Sequence, residues 1–398
     1  MIRKTMPSRK SIDVPPFIVM EVLERAQELE RQGRDIVHLE VGEPDFDTPE
    51  RVCEKACAAM RGGDTHYTHS MGKIELREAI CAWHERQYGR KVTPDRIIVS
   101  SGTSPILLLI FMALCDPGDE VIISDPHYAC YPNIISFAGG VPVRVAVREE
   151  EGYAFTPDAI DRAITPRTKA ILINSPSNPT GTVMPDESLR AVAQCGLTAV
   201  SDEIYHGLIY EGPMRSMLEF TDECVVVNGF SKLFAMTGWR LGYAIVPREL
   251  ARPMQKMQQN FLISAPAFAQ SAAIIALNEC GSETRAMREE YDRRRRLVIR
   301  RVREMGFALP APPTGAFYVF LNVKDICRRT GKNCYDLAFD ILEKQGVAVT
   351  PGIDFGPGGE GYIRLSYATK YECLEEGLDR LERYFIKECP DLMQGERN

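Results

Sequence analysis

The chain has 398 residues, 44% hydrophobic and 26% charged, with a formal net charge of −7 at pH 7. That length allows two or three domains, the composition is ordinary for a globular protein, and the acidic balance argues against a nucleic-acid binder, which carries a basic stripe. The 12 cysteines are scattered without Cys-x-x-Cys or paired Cys/His spacing, which predicts reduced thiols in a cytoplasmic protein and no metal centre.

The N-terminal MIRKTMPSRK is basic, but no apolar run follows it, so no signal peptide is expected. FIVMEVLERAQELERQG has helical periodicity and stops at Gly33. His66 and His69 flank Tyr67 in HYTH without a carboxylate or further His beside them, too little for a metal site. From about residue 50 to 290, short β-branched runs alternate with longer helical ones. The strand candidates are RIIVS, EVIIS, VPVRVAV, AILIN, LTAVS, CVVVN and GYAIV. This alternation predicts an α/β domain: a mostly parallel seven-stranded sheet covered by helices on both faces. The longest apolar run, Ile106 to Cys115, is too short to span a bilayer and reads as a buried helix.

A charged helix is expected over roughly 284–305. Its Arg293 to Arg296 run lies beside Glu289, Glu290 and Asp292, the pattern of a solvated helix face. Strands GAFYVFLNV, GVAVT and YIRLSYA then mix with helices DLAFDILEKQG and YECLEEGLDRLERYFIKE, which predicts a smaller α+β domain. The expected division is an N-terminal segment, 1–48, joining the small domain; a large domain, 49–290; and a small C-terminal domain, 291–398.

In an open α/β sheet, ligands sit beyond the carboxyl ends of the strands, so four ends carry the functional reading. RIIVS leads into SGTSPILLLIFMAL, where Gly102, Thr103 and Ser104 open a helix with Ser104 as N-cap and Pro105 in the first turn. Free N–H groups there would cradle a phosphate, although any helix start looks similar. AILIN leads to the turn holding Asn178. LTAVS ends at Asp202, a carboxylate that needs a cation or several donors. CVVVN leads to Lys232, an amine aimed at the interior, which burial or a neighbouring cation would activate as a Schiff-base lysine. An anion cup, an amide, a carboxylate and an amine together match the needs of pyridoxal 5′-phosphate.

SNPTG, SDEIY, FSKLFAMTGWRLGY and YIRLSYA resemble the fold-type-I pyridoxal-phosphate aminotransferases of the class-I/II group, from VGEPDFDTP almost to the C-terminus. The resemblance implies transfer of an amino group from an L-amino acid to a 2-oxo acid by a ping-pong mechanism. It implies that Lys232 holds the cofactor as an imine and shuttles the Cα proton, that Asp202 pairs with the ring nitrogen, and that Asn178 and Tyr205 bond the phenolic oxygen. It implies further that Tyr128 stacks on the ring, and that Ser231 and Arg240 bind the phosphate with Gly102, Thr103 and Ser104. Arg364 would clamp the substrate α-carboxylate in a pocket lined by the backbone of Gly42. Tyr67 would reach the phosphate of a neighbouring subunit, which makes a homodimer the working unit. Ser104 stands where several aspartate-using members carry lysine, and the N-terminal segment SIDVPPFIVM, expected to line the pocket, is apolar and proline-rich; both lean toward neutral substrate side chains.

A C–S β-lyase or another eliminating enzyme on the same scaffold shares these residues and is the alternative. GPGGEG, Gly356 to Gly361, is a literal G-x-G-x-x-G, but it contains Pro357 and leads into a strand, against a dinucleotide fingerprint. A regulator would need a fused DNA-binding segment, and the N-terminal extension is too short for one.

Overall fold

The computed structural model describes residues 5–390; the outermost residues of the expected N-terminal segment and C-terminal domain lie outside the described residues. Its strands in chain order are β1 (Val37–His38), β2 (Ile97–Ser100), β3 (Glu120–Asp125), β4 (Val141–Ala146), β5 (Thr168–Asn174) and β6 (Thr198–Asp202). They continue with β7 (Cys224–Gly229), β8 (Gly242–Ile245), β9 (Tyr318–Asn322), β10 (Val347–Ala348), β11 (Thr350–Pro351) and β12 (Tyr362–Ser366). Seven of them form one sheet in the order β2-β8-β7-β6-β5-β3-β4. Every pairing from β7 to β4 is parallel, and only β8 runs against its neighbours.

The near-continuous apolar strands reflect burial on both faces. Successive side chains alternate between two cores. In β7, Val225 and Val227 pack with Ile110, Phe111 and Met254, whereas Cys224 and Val226 join Ile80, Trp83 and Leu189 on the other side. Each fully buried Val or Leu contributes roughly 1.5–3 kcal/mol, so the two layers hold the strand ends rigid. The GVAVT run divides into β10 and β11, and each goes to a different sheet. β10 pairs in parallel with β1, joining the N-terminal segment to the C-terminal unit, and β11-β12-β9 is an antiparallel sheet.

The helix Gly281–Glu304 departs from the expected solvated face. Arg293 and Arg296 are exposed, but Arg294 and Arg295 are each only 4% exposed. Arg294 pairs with Asp45 at 2.7 Å and Glu290 at 2.8 Å, and Arg295 with Glu211 at 2.7 Å and Asp292 at 2.8 Å. Charge periodicity within one helix carries no record of Asp45 or Glu211, which come from distant segments. No helix among the described residues is long and apolar enough to cross a membrane.

The close approach of β8 to the start of the helix Thr103–Leu114 depends on Gly242. A Cβ there would lie 2.9 Å from both the Gly102 carbonyl carbon and the Thr103 nitrogen. Gly242→Ala is therefore expected to cost about 1–3 kcal/mol through overpacking. Chemical denaturation measures this, and a midpoint equal to wild type would show that the contact has slack.

Candidate active site

A cavity of about 440 Å³ opens at the carboxyl ends of β5, β6 and β7. It lies where the connections of the sheet diverge, β5-β6-β7 on one side and β3-β4 on the other. Gly42, Thr103, Ser104, Tyr128, Asn178, Asp202, Tyr205, Ser231, Lys232, Arg240 and Arg364, all singled out in the sequence, line it together. Gly102 sits just behind the rim, where its missing side chain leaves room for Arg240: a Cβ would lie 2.7 Å from Nη2.

Lys232 emerges from the turn after β7 and donates to the Gly42 carbonyl at 2.6 Å. Burial lowers its pKa to about 8; Glu43 opposes the shift, and Arg364 and Arg240 add to it. A sizeable fraction of the amine is thus neutral slightly above pH 7, as a nucleophile or proton carrier requires. Asp202, 5% exposed at the end of β6, accepts from Tyr131 Oη at 2.7 Å and from the Ile204 N–H at 3.2 Å. Burial raises its pKa to about 6, while those two donors and Lys232 restrain the rise. It is therefore mainly a carboxylate at pH 7, with acceptor capacity left for one more donor.

Arg364, buried on β12, donates to Asn178 Oδ1 at 2.8 Å, to Thr350 Oγ1 at 3.2 Å and to the Glu40 carbonyl. Its guanidinium carbon lies 4.5 Å from the Tyr318 ring centroid and 4.8 Å from that of Phe355. Its Nε has no hydrogen-bond partner within the protein. Asn178 is set in turn by Asn174, which accepts from the Asn178 N–H at 2.8 Å and donates to the Asp202 carbonyl at 2.9 Å.

Arg240 has a left-handed backbone, φ 51°, costly for a residue with a side chain (roughly 1–3 kcal/mol) and typical of a constrained functional position. It donates to the Thr237 carbonyl at 2.9 Å, which turns the guanidinium toward Gly102 and the helix start. That helix begins earlier than expected: Gly102 is the N-cap with φ 100°, not Ser104. The left-handed glycine lets the chain turn sharply, which places Thr103 and Ser104 in the first turn, the segment with unbonded N–H groups.

Tyr67 is the exception. It is 81% exposed and outside the cavity, on a loop pinned by the Thr68 N–H to Ser264 Oγ at 3.3 Å. Two tyrosines escaped the sequence reading. Tyr131 bonds Asp202, and Tyr318 bonds Tyr205 at 2.8 Å and covers Arg364. Tyr131 lies three residues beyond Tyr128 in YACY, a one-turn spacing that could have placed both on one face. Of the expected pocket-lining segment SIDVPPFIVM, Phe17, Val19 and Met20 line the cavity. Among the described residues, no group of three or more His, Cys, Asp or Glu is arranged to hold a metal.

An amine and a carboxylate at adjacent strand ends, with two arginines in a metabolite-sized cavity, define an α/β enzyme acting on a small anionic substrate. Comparison with known proteins sharpens this. The family model for class I and II aminotransferases matches residues 34–381. A (5-formylfuran-3-yl)methyl phosphate transaminase from Methanocaldococcus jannaschii is 42% identical, covering 96% of this chain and 100% of that protein. An aspartate/prephenate aminotransferase from Thermus thermophilus is 43% identical over 94% of this chain and 98% of its own length. The structure of an aminotransferase from Mycobacterium tuberculosis superimposes with a TM-score of 0.91 at 36% identity, covering 96% of this chain and 100% of that one. The chain belongs to the class I and II aminotransferase family, and it is an aminotransferase.

Because Tyr131 stabilises the ionised form of Asp202, Tyr131→Phe is expected to move the Asp202 titration above its midpoint of about 6, toward neutral pH. NMR titration of the carboxyl carbon in the cofactor-free protein reads this directly. An unchanged midpoint would mean that Tyr131 does not act as the donor.

Proposed function

We propose that the enzyme uses pyridoxal 5′-phosphate held at Lys232, takes its amino group from an L-amino acid and passes it to a 2-oxo acid, and works as a homodimer. The observation that carries this reading is that Lys232 and Asp202, from neighbouring strand ends, line one cavity together with the buried Arg364. The residues present fit the group. An amine of lowered pKa suits an aldehyde, an ionised carboxylate suits a protonated ring nitrogen, and the Gly102 turn with Arg240 suits a phosphate.

When bound, pyridoxal 5′-phosphate supplies an aldehyde for amine exchange and a protonated ring that spreads the negative charge left at Cα. Asp202 keeps the ring nitrogen protonated; Tyr131 keeps Asp202 ionised. Lys232, released from the Gly42 carbonyl, removes the proton at Cα and returns it at the other end of the transfer. Arg364 would bind the substrate α-carboxylate through its guanidinium, a charge-assisted fork that also aims the Cα–H bond. Asn178 and Tyr205 would hold the ring's phenolic oxygen, and Tyr128 would pack against the ring. Ser231, Arg240 and the N–H groups at Gly102, Thr103 and Ser104 hold the phosphate. Tyr67, exposed on one subunit, would complete the phosphate site of the other. With a domain division of 1–48 plus 291–398 against 49–290, Arg364 belongs to one unit and Lys232 to the other.

The purified enzyme is expected to absorb in the near-ultraviolet to visible range. Borohydride is expected to bleach that band in the wild type and fix the cofactor to Lys232, whereas Lys232→Ala should acquire no covalent label and lose all transfer; continued turnover by this variant would refute the lysine assignment. Release of pyruvate and ammonia without accumulation of the pyridoxamine form would identify an eliminating enzyme instead. Arg364→Ala removes two charge-assisted bonds made to substrate, each worth roughly 1.5–3 kcal/mol, so kcat/KM should fall on the order of 10²–10⁴-fold with cofactor absorbance unchanged. Loss of cofactor with intact substrate kinetics would exchange the roles of Arg364 and Arg240.

A further inference from the structure

The segment HLEVGEP carries two ionisable side chains that the site described above does not use, His38 and Glu40. Val37 and Leu39 point into the main core; a Cβ at Gly377, in the helix Tyr371–Glu388, would lie 3.0 Å from Val37 and 3.1 Å from Leu39. His38 and Glu40 take the alternate face. There the helix Ile18–Arg31 packs Val22, Ala26 and Leu29 with Ala348, the β10 partner of His38.

Glu40 is fully buried on that face. Its Oε1 lies 2.8 Å from His38 Nδ1, and its Oε2 has no hydrogen-bond partner in the protein. The outer nitrogen of His38, Nε2, lies 3.2 Å from Glu30 of the covering helix. The bond to Glu40, with the Glu30 charge behind it, raises the His38 pKa to about 9 against the opposing effect of burial. His38 is therefore an imidazolium at pH 7, and Glu40 has a cation beside it.

Taking a carboxylate out of water is costly, and a buried ion pair returns little net stability. What the pair does follows from the backbone of Glu40. Leu39 completes the local pairing: its N–H bonds the Ala348 carbonyl at 3.0 Å, and its carbonyl accepts the Ser366 N–H at 2.7 Å. Among the described residues, no backbone–backbone hydrogen bond reaches residues 40–42. Yet this stretch supplies two acceptors of the site. The Glu40 carbonyl takes Arg364 and, at 3.0 Å, Thr350 Oγ1, and the Gly42 carbonyl takes Lys232 at 2.6 Å. Side-chain contacts therefore set the direction of the Glu40 carbonyl, and the anchored carboxylate is the contact that Glu40 itself supplies.

We propose that Glu40, held by His38, is a positioning residue for amino transfer. It fixes the carbonyl against which Arg364 is braced, and through it the hold of Arg364 on the substrate α-carboxylate. Glu40 does not line the cavity. The inference rests on the assignment of Arg364 above and deepens it by naming what places that arginine.

The test is a double-mutant cycle on the holoenzyme, with steady-state kinetics for whichever common L-amino acid the wild type converts fastest. Glu40→Leu should lower kcat/KM about 3–10-fold, the effect of one ordinary hydrogen bond, through KM and with kcat and cofactor absorbance nearly unchanged. Glu40→Gln, which can still bond His38, should recover most of the loss. His38→Leu, at a half-buried position, cuts the same contact from its other end and should reproduce the KM rise even where Glu40→Leu fails to fold. In an Arg364→Ala background, Glu40→Leu should add almost nothing, because the group it positions is gone. Full additivity, or a loss confined to kcat, overturns the positioning role and leaves amino transfer standing. An Arg364→Ala variant with normal kcat/KM, or no amino acid converted at all, overturns the reading beneath it. NMR titration of the His38 ring should show its midpoint of about 9 falling in Glu40→Leu; an unmoved midpoint would deny the contact.

Discussion

Keeping an amine, a carboxylate and two guanidinium groups in one partly dry cavity is the constraint on which the rest of this molecule turns. Asp202, Arg364 and the Lys232 amine lose hydration there while Arg240 stays at the exposed rim, and unpaired charges in such surroundings neutralise or disrupt the fold. The protein answers with fixed dipoles. Lys232 has the Gly42 carbonyl, Asp202 has Tyr131 and a backbone N–H, and Arg364 has two oxygens, one amide and two aromatic faces. The strands that deliver these groups are buried on both sides, so the partners cannot drift to solvent.

These bonds also join the two parts of the chain. Arg364 lies on β12 of the small sheet, yet it reaches Asn178 beyond β5 of the large one and the carbonyl of Glu40 in the N-terminal segment. Gly42, two residues later, receives Lys232. Arg364 and the Lys232 amine are thus linked through a short backbone stretch that belongs to neither sheet.

Much of this was legible in residues taken alone. All seven strands of the large sheet, the N-terminal helix and its stop near Gly33, and the strand ends bearing Lys232 and Asp202 follow from apolar runs and turn formers. Burial on both faces writes itself into consecutive β-branched residues. The misreadings share a cause. Arg294 and Arg295 look solvated because their partners, Asp45 and Glu211, are far away in sequence. Ser104 looks like a cap because a cap is a local motif, whereas the cap actually used, Gly102, is selected by the closeness of Arg240 and Gly242. Tyr131 and Tyr318 resemble ordinary core tyrosines until Asp202 and Arg364 are placed against them.

The sequence by itself determined the alternation of strands and helices, the chemical types available at the strand ends and the family resemblance, because these are encoded in short windows of polarity and shape. Tertiary structure alone decided which residues of the expected pocket-lining segment reach the cavity, namely Phe17, Val19 and Met20, and which tyrosine bonds Asp202. Those outcomes depend on distances between segments far apart along the chain, and a distance of that kind exists only after the chain has packed.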